Sequence, residues 1–491
     1  MGLQLDRADF GPLDYARMSE RLDQCLQALG RLLERPEFGA GAPTLGAELE
    51  LFLVDDAGRP LPRNAEVQAA ACDERFTPEL GRYNLECNLS PVAVPGPCFS
   101  ALGGQLRDAL ATVRHAAAQV DTRVALIGIL PTLRRDDLGP AAISDVPRYW
   151  TLDRRLRALR GEPYRIHING ADPLMIDCDD ISPETANTSL QLHLRVPPAD
   201  FARIYNAAQI ATAPALAVAG NSPTFLEHRL WEETRIVLFK QAVDQRGRAV
   251  RRLRAPRVGF GTGWVRRSAL ELFVEGVRRY EPLIPVTSDE HPLERVAAGD
   301  VPLLEELRLH QGTVWLWNRP VYDAFTDPHL RIEFRALPAG PTVTDMLANV
   351  AFLLGVTLAL AADAEWWTDA LPFDRAHDNF YRAAQSGLDA VLTWPAPDAG
   401  LTRVTSCELI PRLLPVARRG LAAAGIDGAE SAELLQVIAG RVAARQTGAV
   451  WQRHTLADLE PRLGRRQALM AMLRRYLKHA HTDRPVHTWP V

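Results

Sequence analysis

The sequence predicts an α+β fold: a curved antiparallel sheet with a polar concave face, and helices on its convex face. Three observations predict it. Four widely separated segments alternate apolar residues with Glu, Asn, Gln, His or Arg; strands and helices mix without the regular β-α alternation of a doubly wound sheet; and the chain from about residue 371 onward is helical in pattern.

Residues 14–35 place Met18, Leu22, Leu26, Leu29 and Leu33 at helical spacing and stop at Pro36, so an amphipathic helix opens the chain. The run Leu45-Gly-Ala-Glu-Leu-Glu-Leu-Phe-Leu-Val54 follows as a strand. Residues i and i+2 of a strand share a face about 6.6 Å apart, so Glu48 and Glu50 point one way and Leu49, Leu51 and Leu53 the other. In Glu79 to Leu89, Asn84, Glu86 and Asn88 alternate with Leu85, Cys87 and Leu89. Ser100–Gln119 reads as a helix and Val124–Leu130 as a buried strand. Pro131–Ser182, rich in Arg, Asp and Pro, reads as loops and short helices over a site. In Thr188 to Arg195, Ser189, Gln191, His193 and Arg195 alternate with Leu190, Leu192 and Leu194.

An alanine-rich helix over 199–219, interrupted at Pro214, ends at Gly220-Asn-Ser-Pro223. Gly259-Phe-Gly-Thr-Gly263 is a turn. Trp315 and Trp317 sit on a strand with aromatic packing rather than against an adenine. In His329-Leu-Arg-Ile-Glu-Phe-Arg335 the alternation puts Arg331, Glu333 and Arg335 on one face. Met346–Ala362, 17 residues between two aspartates, is short for a membrane span of about 20 residues and reads as a buried helix. Trp366 and Trp367 are core or interface residues. No Gly/Ser linker interrupts the chain, so 1–370 is expected as the catalytic core and 371–491 as a helical extension packed on it within one continuous domain.

Bulk composition removes several function classes. A hydrophobic share of 47% and a charged share of 24% belong to a chain that buries a large core, and a net charge of -4 offers no case for nucleic acid or anionic membrane. Six scattered cysteines form no C-x-x-C pair; each is expected to pack, and a reducing cytoplasm fits them. The start Met1-Gly-Leu-Gln-Leu-Asp-Arg7 carries neither an export signal nor a myristoylation signal. Lysine occurs only at Lys240 and Lys478, and no Gly-Lys-Ser/Thr triplet exists, so a bound nucleotide would rely on metal ions and arginine for its phosphates.

Each alternating strand alone reads as a half-solvated sheet strand. Together, four polar faces of this composition read as one active-site wall able to hold divalent cations and phosphates. The residues then resemble a known family, the glutamate-cysteine ligases and related carboxylate-amine ligases, which share the glutamine synthetase-like fold. The resemblance rests on Gly46-x-Glu48-x-Glu50, on Glu79 and Glu86, on Thr188-Ser-x-Gln-x-His193, on Gly220-Asn-Ser-Pro223 and on Arg331-x-Glu333-x-Arg335, in family order. Asp378 to Ala390 also resembles the family's helical carboxyl-terminal region, so most of 40–390 is covered.

The resemblance implies that Glu48, Glu50, Glu79, Glu86 and Glu333 ligate two or three Mg²⁺ ions. Gln191 falls where many members have a histidine ligand. His193 and Arg331 would serve the nucleotide and Arg335 the transferring phosphoryl group, so that Glu50, Glu333 and Arg335 carry the catalysis. Arg229 and Arg235 would grip a substrate carboxylate. The expected activity is ATP-dependent amide formation between a carboxylate, the γ-carboxylate of glutamate, and a small amine such as cysteine, through an acyl phosphate. Such chemistry gathers anionic reactants and needs Mg²⁺ and Arg to neutralise them. Three rivals stand beside it: a guanidino-kinase-like phosphotransferase on the same fold, a non-catalytic nucleotide or metabolite sensor, and a metal-dependent hydrolase. The expected partners are small molecules, with a homo-oligomer admitted.

Overall fold

The computed structural model describes residues 10–251, 253–325, 327–396 and 400–491; Met1–Arg7, read above for targeting signals, lie outside them. The helices of the first half are α1 (Pro12–Leu33), α2 (Asn64–Ala71), α3 (Cys98–Gln119), α4 (Pro147–Arg160), α5 (Phe201–Ala219) and α6 (Arg235–Ala242). Those of the second half are α7 (Leu270–Arg279), α8 (Pro292–Ala297), α9 (Glu305–Gln311), α10 (Val343–Ala361), α11 (Ala364–Ala370), α12 (Phe373–Ser386), α13 (Ser406–Ala423), α14 (Gly428–Ala444), α15 (Gly448–Leu463) and α16 (Arg465–Ala480). The strands begin with β1 (Thr44–Val54), β2 (Phe76–Pro78), β3 (Asn84–Asn88), β4 (Val92–Ala93), β5 (Arg123–Ala125), β6 (Tyr164–Ile168), β7 (Leu174–Cys178) and β8 (Leu190–Val196). They continue with β9 (Thr224–Phe225), β10 (His228–Arg229), β11 (Val258–Gly259), β12 (Trp315–Leu316), β13 (Asn318–Asp323), β14 (His329–Phe334), β15 (Val391–Ala396) and β16 (Gly400–Thr405).

One sheet dominates, in the order β13-β14-β8-β1-β3-β2, with β4 and β5 paired to opposite ends of β1. Every pairing in it is antiparallel. The four alternating segments of the sequence are its four consecutive strands β14, β8, β1 and β3. Leu45, Leu49 and Leu51 of β1 and Leu190, Leu192 and Leu194 of β8 are at most 2% exposed, so one face belongs wholly to the core. Against it α3 touches β1, α5 touches β13, and α10 packs on both helices. α10 is the long apolar run of the sequence. It is long and apolar enough to cross a membrane by composition alone, yet 83% of its apolar window is buried inside the fold. Its first turn is capped by Thr342, whose side chain accepts from the Asp345 amide at 2.9 Å.

Four expectations change. α5 runs unbroken through Pro214, because it is buried along nearly its whole length and packs on α10 and α12, which outweighs one missing amide hydrogen bond. The expected strand 124–130 pairs as a ladder only over Arg123–Ala125. Beyond it the backbone is taken up singly: Leu126 accepts from the Tyr476 hydroxyl and Gly128 from the Thr188 amide. The stretch 131–182 holds a full helix, α4, and the β6–β7 hairpin besides short turns. Finally, β15 and β16 form a hairpin inside the carboxyl-terminal region, which is otherwise helical. There α12 packs on α5, and α13 and α14 pack on α10.

Among the cysteines, all six unpaired, Cys72 is exposed rather than packed, at the left-handed cap of α2. Trp317 is buried with Phe239 and Phe380 against its ring. Trp366 stands 38% exposed, edge-on to Trp367, which packs on Trp394.

Candidate active site

The register of the sheet assembles the polar face. Glu48 lies opposite Asn88 on one side and Gln191 on the other, and Glu50 lies opposite Glu86. Glu333 lies between His193 and Arg319. Glu79 joins from the segment following β2, where its carboxylate accepts from the Leu80 amide at 3.1 Å.

Hydrogen bonds hold these groups in place. Glu50 accepts from the Ser189 amide at 2.7 Å and from Gln191 Nε2 at 2.8 Å, while Gln191 Oε1 accepts from Arg335. Gln191 therefore bridges the guanidinium to the carboxylate. Glu333, 1% exposed, is gripped by both Arg319 and Arg335, each with an N–O distance of 2.9 Å to Oε1. His193 Nε2 stands 3.1 Å from Glu48 Oε1 and 3.9 Å from Glu333 Oε1.

The electrostatics divide the carboxylates into two groups. Burial pushes Glu50 up to about 7, with the Glu79 charge adding to it. Burial likewise raises Glu79, and it raises Glu86 well above the usual range, reinforced by Glu48 and Glu79. Burial opposes ionisation of Glu48 and Glu333 too, but facing His193 lowers Glu48, and Arg319 and Arg335 hold Glu333 well below the usual carboxylate range. One side of the face is thus a cluster of carboxyls short of positive charge. The other is a carboxylate already clamped by two arginines.

Glu48, His193 and Glu333 each offer one donor atom, and these atoms lie within 4.8 Å of one another. Two carboxylates and an imidazole at that spacing, beside carboxyls whose burial is uncompensated, fit divalent cations. His193 thus stands with Glu48 and Glu333, while Gln191 contacts the neighbouring Glu50.

Two adjoining cavities open over the face. One, of about 580 Å³, is bounded by Glu48, Glu50, Glu79, Glu86, Gln191, Glu333 and Arg335, with Trp315 and Phe239 on its wall. The other, of about 370 Å³, shares Glu48, Arg148, Gly312 and Arg319 with it and adds His193, Arg308 and Arg331. Arg331 holds Asp323 at 2.9 Å there. The structure brings together nine of the eleven residues singled out by sequence and leaves two aside. Arg229 pairs with Asp172 at 2.7 Å, away from both cavities. Arg235, 3% exposed, donates to Glu233 at 2.9 Å and to the Ala336 carbonyl at 2.7 Å, so it braces the backbone next to Arg335 instead of facing the cavity. Glu233 in turn is held by the Asn221 amide and the Ser222 hydroxyl, which gives the Gly220-Asn-Ser-Pro223 motif a structural task.

Sequence reasoning passed over Arg319, Arg148, Tyr149 and Glu184, all on the cavity walls. Burial, with Glu79 and Glu50 nearby, raises Glu184 well above the ordinary value. Arg319 was visible only as the end of the Trp-rich strand, and nothing in the sequence says that it faces Glu333.

A sequence profile of glutamate-cysteine ligase family 2 (GCS2) matches residues 44–458. No curated protein matches the chain by sequence. Among solved structures, the fold is similar to that of the glutamate–cysteine ligase of Francisella tularensis in complex with AMP. That likeness has a TM-score of 0.57 at 12% identity and covers 91% of this chain and 90% of that one. A bifunctional glutathione synthetase from Pasteurella multocida matches at a TM-score of 0.43 and 11% identity, over 92% of this chain and 54% of that one.

Proposed function

Because the chain belongs to glutamate-cysteine ligase family 2 and is an ATP-dependent carboxylate–amine ligase with a glutamine synthetase-like fold, we propose that it activates the γ-carboxylate of glutamate and joins it to a small amine such as cysteine. The observation that carries this reading is the clustering of Glu48, His193 and Glu333 within 4.8 Å, beside Glu50, Glu79 and Glu86 on the same cavity.

In this reading Glu48, His193 and Glu333 would hold one Mg²⁺, and Glu50, Glu79 and Glu86 would hold any others. When bound, Mg²⁺ neutralises the nucleotide phosphates and polarises the transferring phosphoryl group. The nucleotide phosphates lie toward the smaller cavity, where Arg331 and Arg308 add positive charge. Arg335 sits between the two groups of carboxylates and offers a planar fork to the phosphoryl oxygens. Gln191 fixes both Arg335 and Glu50 through its amide. The acid occupies the larger cavity, where phosphoryl transfer onto its carboxylate gives an acyl phosphate. Displacement of that phosphate by the amine then forms the amide. No covalent enzyme nucleophile is required, in keeping with cavity walls that, among the described residues, carry no cysteine; we place the protein in a reducing compartment because its six cysteines are unpaired.

The test is phosphate release from purified protein with ATP, Mg²⁺ and glutamate, with and without a panel of amines headed by cysteine. Release that needs both acid and amine is the expected result. ATP consumed with a stable phosphorylated product would make the protein a phosphotransferase, and absence of ATP binding would overturn the reading.

A further inference from the structure

An acid that carries a second negative charge can enter this site only if a cation is available to receive it, because seven glutamates line the larger cavity from Glu48 to Glu333. Most guanidiniums on the two cavities are already engaged. Arg319 and Arg335 hold Glu333, Arg331 holds Asp323, and Arg308 lies over the Phe325 ring at 4.6 Å. Arg148 differs from all of them. It lines both cavities from the first turn of α4, outside the sheet, and its guanidinium makes no hydrogen bond or ion pair among the described residues. Space is left for it by a glycine: a Cβ on Gly312 would stand 3.3 Å from Arg148 Nη2, tighter than ordinary contact.

We propose that Arg148 is the specificity-determining residue that receives the second carboxylate of a dicarboxylic substrate, so that the site selects acids with two carboxylates over their monocarboxylic analogues. This rests on the ligase reading above. A half-buried, uncommitted guanidinium gains two charge-assisted hydrogen bonds from such a group, and a site built for an ionic partner discriminates strongly against the analogue lacking it. Arg148 lines the same larger cavity as Glu50, Glu79 and Glu86, so one dicarboxylate there can present one group to the guanidinium and the other, the one to be activated, to the metals.

The experiment is calorimetric binding in the presence of Mg²⁺ and a non-hydrolysable ATP analogue. The ligands are aspartate, glutamate and 2-aminoadipate, each paired with the monoacid lacking its α-carboxylate; for glutamate this is 4-aminobutyrate. Wild type is expected to prefer at least one dicarboxylate by about 10- to 100-fold. Arg148→Gln should remove that preference while leaving the affinity for the ATP analogue and the melting temperature unchanged. Arg148→Lys should restore part of it, and Gly312→Val, which displaces the guanidinium without removing its charge, should weaken it. A preference that survives in Arg148→Gln overturns the proposal, as does a wild type with no preference for any dicarboxylate. A loss that falls on the ATP analogue overturns it in favour of a phosphate contact. Dicarboxylate selection without amine-dependent phosphate release would instead leave Arg148 assigned and bring down the ligase reading.

Discussion

Glu333 sits where two demands meet: it faces His193 and Glu48 as a candidate metal ligand, and Arg319 and Arg335 as an ion-pair partner. Glu333→Gln keeps the shape and removes the charge. It should lower ATP turnover at least about a hundredfold and weaken Mn²⁺ binding read by electron paramagnetic resonance. Unchanged activity in this variant would remove Glu333 from the metal site. Glu50 carries a pH signature. Its pKa rises on folding from 4.5 to about 7, so its contribution to stability is fully present below about 4.5 and is lost as pH rises through 7. Raised Glu79 and Glu86 act in the same direction, whereas depressed Glu333 contributes above the ordinary carboxylate range and loses its contribution only in strong acid. In metal-free protein, the melting temperature of wild type should therefore fall relative to Glu50→Gln between pH 5 and pH 8. Mg²⁺, which must displace protons here, should stabilise wild type more at pH 8 than at pH 5.5. Parallel curves for the two proteins would contradict this. At this scale, the carboxylates were legible because a strand's two-residue period turns Glu48 and Glu50, or Arg331, Glu333 and Arg335, to one side. Arg319 and Arg148 were not, since a lone arginine on a strand or helix has no period to mark it.

Among the elements, α10 shows how a buried helix can carry polar groups. Asp345 and Asn349 lie in or beside its apolar run, and both are acceptors for Arg441 of α14. Its guanidinium, 1% exposed, donates to Asp345 Oδ1 at 2.9 Å and to Asn349 Oδ1 at 2.5 Å, and reaches the Val218 carbonyl on α5 at 3.1 Å. One side chain thus ties α14 to the two central helices. Arg441→Met would leave Asp345 buried without its cation and should cost roughly 3–5 kcal/mol in chemical denaturation. A loss below about 1 kcal/mol would mean that water or the Val486 amide, which also donates to Asp345, suffices. The sequence displayed Asn349 as an interruption in the run. Its partner lies nearly a hundred positions away, and only packing could reveal it.

For the whole molecule, we propose that 1–370 and 371–491 form one cooperative unit. α12, α13 and α14 pack on α5 and α10, the helices beneath the sheet, and Arg465 of α16 reaches Asp172 at 2.9 Å, the same carboxylate that holds Arg229. Calorimetry should give a single heat-absorption peak whose van't Hoff and calorimetric enthalpies agree; two resolved peaks would separate the regions. The sequence by itself determined the fold class, the strands of the polar face and most of the acidic set, because side-chain period and residue type are local properties that a strand must obey wherever it lies. It also determined that phosphates must be handled without a P-loop. Only the tertiary structure decided which strands are neighbours, that His193 stands with Glu48 and Glu333 while Gln191 bridges Glu50 and Arg335, that Arg235 braces the backbone beside Arg335, and that Arg148 stands uncommitted. Those outcomes depend on register and on contacts between distant segments, and a one-residue slip of β8 against β1 would turn Gln191 and His193 into the core.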